Sequence, residues 1–153
     1  MQSLQPLPKE ITDQIRFILE GIKAGKLEHN QEVVHCGTAH CVAGWHAVFK
    51  AKEKGIEYDP VEERFCGNPG FGDAWDLAEA DWCLTESEAN ILFSRDADLI
   101  TQFALLRYLE SGERVDGAYY SYENGQLETM NRAKGRTTPF ISYLQQQKEE
   151  THD

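Results

Sequence analysis

The stretch that most constrains the fold is residues 39–54, where two kinds of helical stripe run side by side. Cys41, Trp45, Val48 and Phe49 recur at i, i+4, i+7 and i+8, the spacing of one apolar helix face. Beside them, Ala43, Gly44, Ala47 and Ala51 form a stripe of small residues. A glycine inside a helix costs about 1 kcal/mol relative to alanine, so Gly44 makes sense where a second helix approaches closely. The pattern predicts a central helix over 39–54, with Gly37 in the preceding turn and Thr38 as its N-cap.

The flanking segments read as further helices. Ile11, Ile15, Ile18, Leu19 and Ile22 give residues 7–26 the clearest amphipathic period in the chain, with Pro8 in the first turn and Gly25 as the stop. Residues 27–37 connect this helix to the central one, and Val33-Val34 fits either a short extended pairing or simple packing. Residues 56–72 hold Pro60, Gly67, Pro69, Gly70 and Gly72, too many breakers for regular structure, and predict a long loop. Asp73 caps a helix to about Cys83, with Trp75, Ala78 and Trp82 toward one side and Asp76, Glu79 and Asp81 on a solvated face.

Thr85-Glu86-Ser87-Glu88 is a capping box that opens a short helix to Ser94. Asp96 or Asp98 caps the next, with Leu99, Ile100, Phe103, Leu106 and Leu109 as its apolar face and Gly112 as its stop. The texture then changes, because Asn124-Gly125 between tyrosine-rich and alternating segments is a strong β-hairpin signal. Tyr119, Tyr120 and Tyr122 are accounted for as favoured strand residues. Thr138 and Pro139 open a last helix. The expected fold is mainly α, a single compact multi-helix domain over 1–153 with a small C-terminal β-hairpin and frayed ends at about 1–6 and 146–153.

Composition narrows the function. Fifteen basic against 26 acidic residues give a formal net charge of −11, which repels nucleic acid and anionic membranes. No apolar run approaches the roughly 18 residues of a membrane span, so the expectation is a soluble cytoplasmic protein. Four cysteines in that setting are expected as reduced thiols.

The chemistry concentrates in residues 34–49, which hold two of the cysteines and three of the five histidines. The run Cys36-Gly37-Thr38, Cys41, Ala43-Gly44-Trp45 resembles the Cys-Gly-Thr-x-x-Cys-x-Ala-Gly pattern of small uncharacterised bacterial and phage proteins. Leu84-Thr85-Glu86-Ser87-Glu88-Ala89 with Leu92-Phe93 is similar to a second stretch of the same group. The resemblance implies a recurring fold and carries no catalytic residue with it.

Three classes of function stand open. The leading expectation is a non-enzymatic acidic interaction or regulatory protein, which needs no cofactor and acts through a protein partner or self-association. The second is a metal site, zinc being the natural ion, with His35, Cys36, His40 and Cys41 as ligands and His46, Cys66 or Cys83 as further donors. Adjacent residues such as His35 and Cys36 rarely reach one ion together, which weighs against that set. The third is cysteine catalysis or thiol redox work, with Cys41 or Cys36 as nucleophile and His35, His40 or His46 as base. A Cys41 in the first turn of a helix would have its thiolate favoured by the helix dipole.

Overall fold

The structure is a computed structural model that describes residues 4–26, 28–29, 35–36, 39–40, 42, 45–46, 49–50, 53, 58–59, 64–65, 74–94, 97–117, 120–123, 126–129 and 138–150. It is mainly helical, with a small antiparallel hairpin toward the C-terminal side. Helix α1 spans Lys9–Lys23. Three two-residue strands follow, β1 (Glu28–His29), β2 (His35–Cys36) and β3 (Ala39–His40). Helix α2 carries the described residues 42, 45, 46, 49, 50 and 53. Strands β4 (Tyr58–Asp59) and β5 (Arg64–Phe65) pair antiparallel. Helices α3 (Ala74–Asp81), α4 (Glu86–Phe93) and α5 (Leu99–Glu110) lead to the hairpin β6 (Tyr120–Glu123) and β7 (Gln126–Thr129), and α6 (Pro139–Glu150) closes the order.

The α1 stripe forms as its spacing predicts. Ile11, Ile15, Ile18, Leu19 and Ile22 are all buried, and each such side chain removed from water contributes about 1.5–3 kcal/mol before chain entropy is counted. Gly25 ends the helix at φ +75°. There its amide donates to Ile22 O and the Lys26 amide donates to Gly21 O, so carbonyls left open by the last turn find partners. Gly112 does the same after α5 at φ +96°. At the end of α3 the left-handed position falls to Cys83, at φ +54°, which stops that helix two residues before the predicted boundary.

Helices α1 and α5 pack antiparallel. Arg16 of α1 binds Glu110 through two hydrogen bonds of 2.9 and 2.6 Å, while Lys23, further along α1, lies over the Phe103 ring. On α5 the buried face is Ala104, Leu105, Leu106, Tyr108 and Leu109, and Ile100 is 53% exposed. Of the predicted face, Leu106 and Leu109 are buried and Leu99 and Phe103 pack against the core, so the correction falls on Ile100. A helix buried against α1, α4 and α6 together offers no single stripe, so a reading tuned to one stripe misplaces it. Helix α6 runs to Glu150, through residues that read as a polar tail, and the Arg107 Nε–H of α5 donates to its Gln147.

The capping box on α4 is present as predicted, with Thr85 and Glu88 reciprocally bonded. Glu88 is also fully buried and forms a two-pronged pair with Arg114, at 2.8 and 2.7 Å. The hairpin pairs Tyr120 with Thr129 and Glu123 with Gln126, and the Asn124-Gly125 pair that signalled it lies outside the described residues. The Tyr122 hydroxyl donates to Ile91 O at 2.7 Å, which fixes the hairpin onto α4. Burial there keeps the Tyr122 phenol protonated far above its ordinary range.

Two expectations fail near the middle of the chain. Ala39 and His40 belong to β3, the middle strand of a sheet ordered β1-β3-β2, so no helix starts at Ala39 under a Thr38 cap. A middle strand can satisfy its amides and carbonyls from both neighbours, whereas the first turn of a helix leaves four amides open. The 56–72 segment likewise contains the β4–β5 pair where only loop was expected.

Removing one partner of the buried Glu88–Arg114 pair leaves a charge without compensation. Arg114→Ala is expected to cost about 3–5 kcal/mol in urea unfolding. Arg16→Ala, which breaks a partly exposed pair with Glu110, should cost less than about 1 kcal/mol. Equal losses in the two variants would refute this ranking.

Candidate functional site

Described side chains of α1 and α2 build a concavity between the two helices. Helix α1 supplies Glu10, Asp13 and Phe17, and α2 supplies His46, Phe49 and Glu53, around a cleft of about 570 Å³. The local reason is which of the described α2 positions turn inward. Residues 42, 45, 46 and 49 follow i, i+3, i+4 and i+7, with Val42 and His46 buried and Trp45 and Phe49 half-buried. The predicted stripe through Cys41 and Val48 involves residues outside those described.

His46 is only 6% exposed. Its Nε2 lies 2.9 Å from Asp81 Oδ2, and its ring sits 4.5 Å from the Trp82 ring. The Trp82 Nε1–H donates in turn to Gln14 Oε1 at 3.0 Å, so one chain of contacts ties α2 to α3, and the end of α3 back to α1. Burial pushes the His46 pKa below its ordinary 6.5, against the opposing pull of the Asp81 carboxylate. The ring is therefore neutral at pH 7. A neutral imidazole facing a carboxylate donates its Nε2–H there and keeps Nδ1 as the lone-pair nitrogen. Lys50 Nζ stands 3.9 Å from the same Asp81 oxygen, so its charge is turned toward that carboxylate.

Above this floor is an aromatic ledge. Phe17 is 67% exposed and meets Phe49 edge to face at 5.9 Å, and Phe49 stacks on Trp45 at 5.9 Å. Phe17 and Phe49 also wall a second cleft of about 440 Å³ with Glu20, Gly21 and Ala24. The ledge thus separates two hollows, both bordered by carboxylates.

The residues singled out by sequence scatter differently. His35 and Cys36 form β2 and His40 belongs to β3, whereas Cys41 and Cys66 lie outside the described residues. Cys83 is exposed and free at the end of α3. No described group of three or more His, Cys, Asp or Glu side chains is placed to hold a metal ion. No described helix is long and apolar enough to cross a membrane.

Sequence reasoning passed over two parts of this site. Asp81 reads as one charge on a solvated face, and its pairing with His46 spans 35 residues. Phe17 falls outside the isoleucine stripe, and that placement is itself the available signal, since a large aromatic off the buried face is left in water. Among known proteins, no family profile matches the chain, and no curated protein or solved structure does.

The His46 environment makes a pH prediction. A folded-state pKa below the unfolded value means that the unfolded chain binds more protons, so stability is fully present above about pH 6.5 and falls as pH drops below it toward the lower folded-state pKa. The urea midpoint should drop between pH 7.5 and 5, and His46→Gln, facing the same Asp81, Lys50 and Glu53, should flatten the drop. An unchanged pH slope in that variant would exclude His46 as its source.

Proposed function

We propose that the protein is a non-enzymatic interaction or regulatory protein that receives a segment of a protein partner across the Phe17–Phe49 ledge. The exposure of Phe17 is the single observation that carries this reading. A phenyl ring left two-thirds in water between two hollows costs the free protein solvation that a partner recovers. The first cleft adds Glu10, Asp13 and Glu53 against the ammonium groups of Lys50 and of Lys9, which pairs with Asp13 at 2.7 Å, and the whole chain carries −11. Such a surface suits a basic segment bearing apolar side chains and disfavours nucleic acid. Placement in the cytoplasm and kinship with the small bacterial and phage proteins sharing the Cys-Gly-Thr-x-x-Cys-x-Ala-Gly pattern belong to the same reading.

Immobilised wild-type protein, Phe17→Ser and Ile100→Ser should distinguish this surface from others. Ile100 is exposed and lines neither cleft. Both variants should fold with near-wild-type stability. A partner held by the wild type and Ile100→Ser, and at least about tenfold more weakly by Phe17→Ser, fits the proposal. If no bound protein depends on Phe17, the ledge is not the interface.

A further inference from the structure

The cleft between α1 and α2 combines three kinds of lining that one side chain of a partner would satisfy together. Its floor is His46, a buried ring whose Nε2 is committed to Asp81 of α3. The two nitrogens of an imidazole point in divergent directions, so Nδ1 faces away from α3. It has no hydrogen-bond partner among the described residues, and in the neutral ring it is an acceptor that calls for a donor. The rim is acidic. Glu10 of α1 and Glu53 of α2 pair with no cation among the described residues, and Asp13 is matched only by the exposed Lys9. Lys50 directs its charge at Asp81. The wall is apolar, made by the Phe17 and Phe49 rings.

We propose that this cleft seats an arginine side chain of the partner segment, with its guanidinium between the His46 ring and the Glu10 and Glu53 carboxylates and its stem along Phe17 and Phe49. The seat rests on the reading of the Phe17–Phe49 ledge as the interface and identifies the side chain that docks there. A guanidinium carries several N–H donors in one plane and no acceptor, so it can give one to a neutral imidazole and others to carboxylates. Its flat, weakly hydrated face also stacks on aromatic rings. A lysine ammonium is a compact, strongly hydrated point charge that matches the rim and neglects the wall. Anionic groups meet like charge at Glu10 and Glu53, and neutral amides offer donors without the charge that those carboxylates favour.

The test is titration of the full-length, isotope-labelled protein with N-acetyl-arginine amide, N-acetyl-lysine amide and N-acetyl-citrulline amide, followed by NMR of the histidine and phenylalanine rings. Citrulline keeps the shape of arginine and loses its charge. His46→Gln and Phe17→Ser assign the two ring signals. The arginine amide should shift both rings saturably, and the lysine and citrulline amides should bind at least about tenfold more weakly. Glu10→Gln combined with Glu53→Gln, both exposed positions, should weaken the arginine amide by a similar factor, with far-UV circular dichroism confirming the fold. If that variant does not fold, the wild-type comparison of the three amides decides. No saturable shift at His46, equal binding of citrulline or lysine, or undiminished binding in the folded double variant overturns the seat. A protein partner that depends on Phe17 but binds the double variant as it binds the wild type also overturns the seat, and leaves the ledge as the interface. An arginine-specific shift with no Phe17-dependent protein supports the guanidinium seat and overturns the protein interface.

Discussion

The buried carboxylate of Glu88 is the constraint from which much of the architecture hangs. It accepts four hydrogen bonds, from the Thr85 and Val115 amides and from Nε and Nη2 of Arg114. A carboxylate out of water is costly, and only such full satisfaction makes the position tenable. Arg114 then donates two further hydrogen bonds, to Gln5 O and Cys83 O. The segment before α1, the α3–α4 junction, the start of α4 and the chain after α5 therefore meet at one point. Cys83 holds a left-handed conformation there, and its carbonyl is one of the groups the guanidinium holds.

That knot positions the elements around the candidate site. With the α3–α4 junction anchored, Trp82 is fully buried and reaches Gln14 of α1 on one side and His46 of α2 on the other. The antiparallel packing of α1 on α5 buries the isoleucine stripe and turns Phe17 outward. The cleft is consequently a by-product of where three helices are held rather than of any motif. Its acidic border, neutral histidine floor and aromatic ledge all come from residues whose neighbours in sequence do other work.

Much of the helical frame was legible from local rules. The α1 period, the Thr85–Glu88 capping box, the Asp98 cap, the glycine stops at 25 and 112, the Asn-Gly hairpin and the Thr138–Pro139 start each depend on residues within a few positions of one another. The failures share the opposite property. The strand at Ala39–His40 exists because Glu28–His29 and His35–Cys36 flank it, and the buried face of α5 follows from having three helical neighbours. Ile100 was assigned to the core by period alone and lies in water.

By itself, the sequence determined most of the helices, several of their caps and the acidic balance, because capping, turn geometry and net charge are properties of short segments or of simple sums. Tertiary structure decided which charges meet and which rings stay exposed. Glu88 reads as half of a capping box until Arg114, 26 residues on, arrives at its other side. His46 and Asp81 become a pair only when distant backbone segments are brought together. Electrostatic interactions act through space over a few ångströms, and no local pattern encodes that proximity.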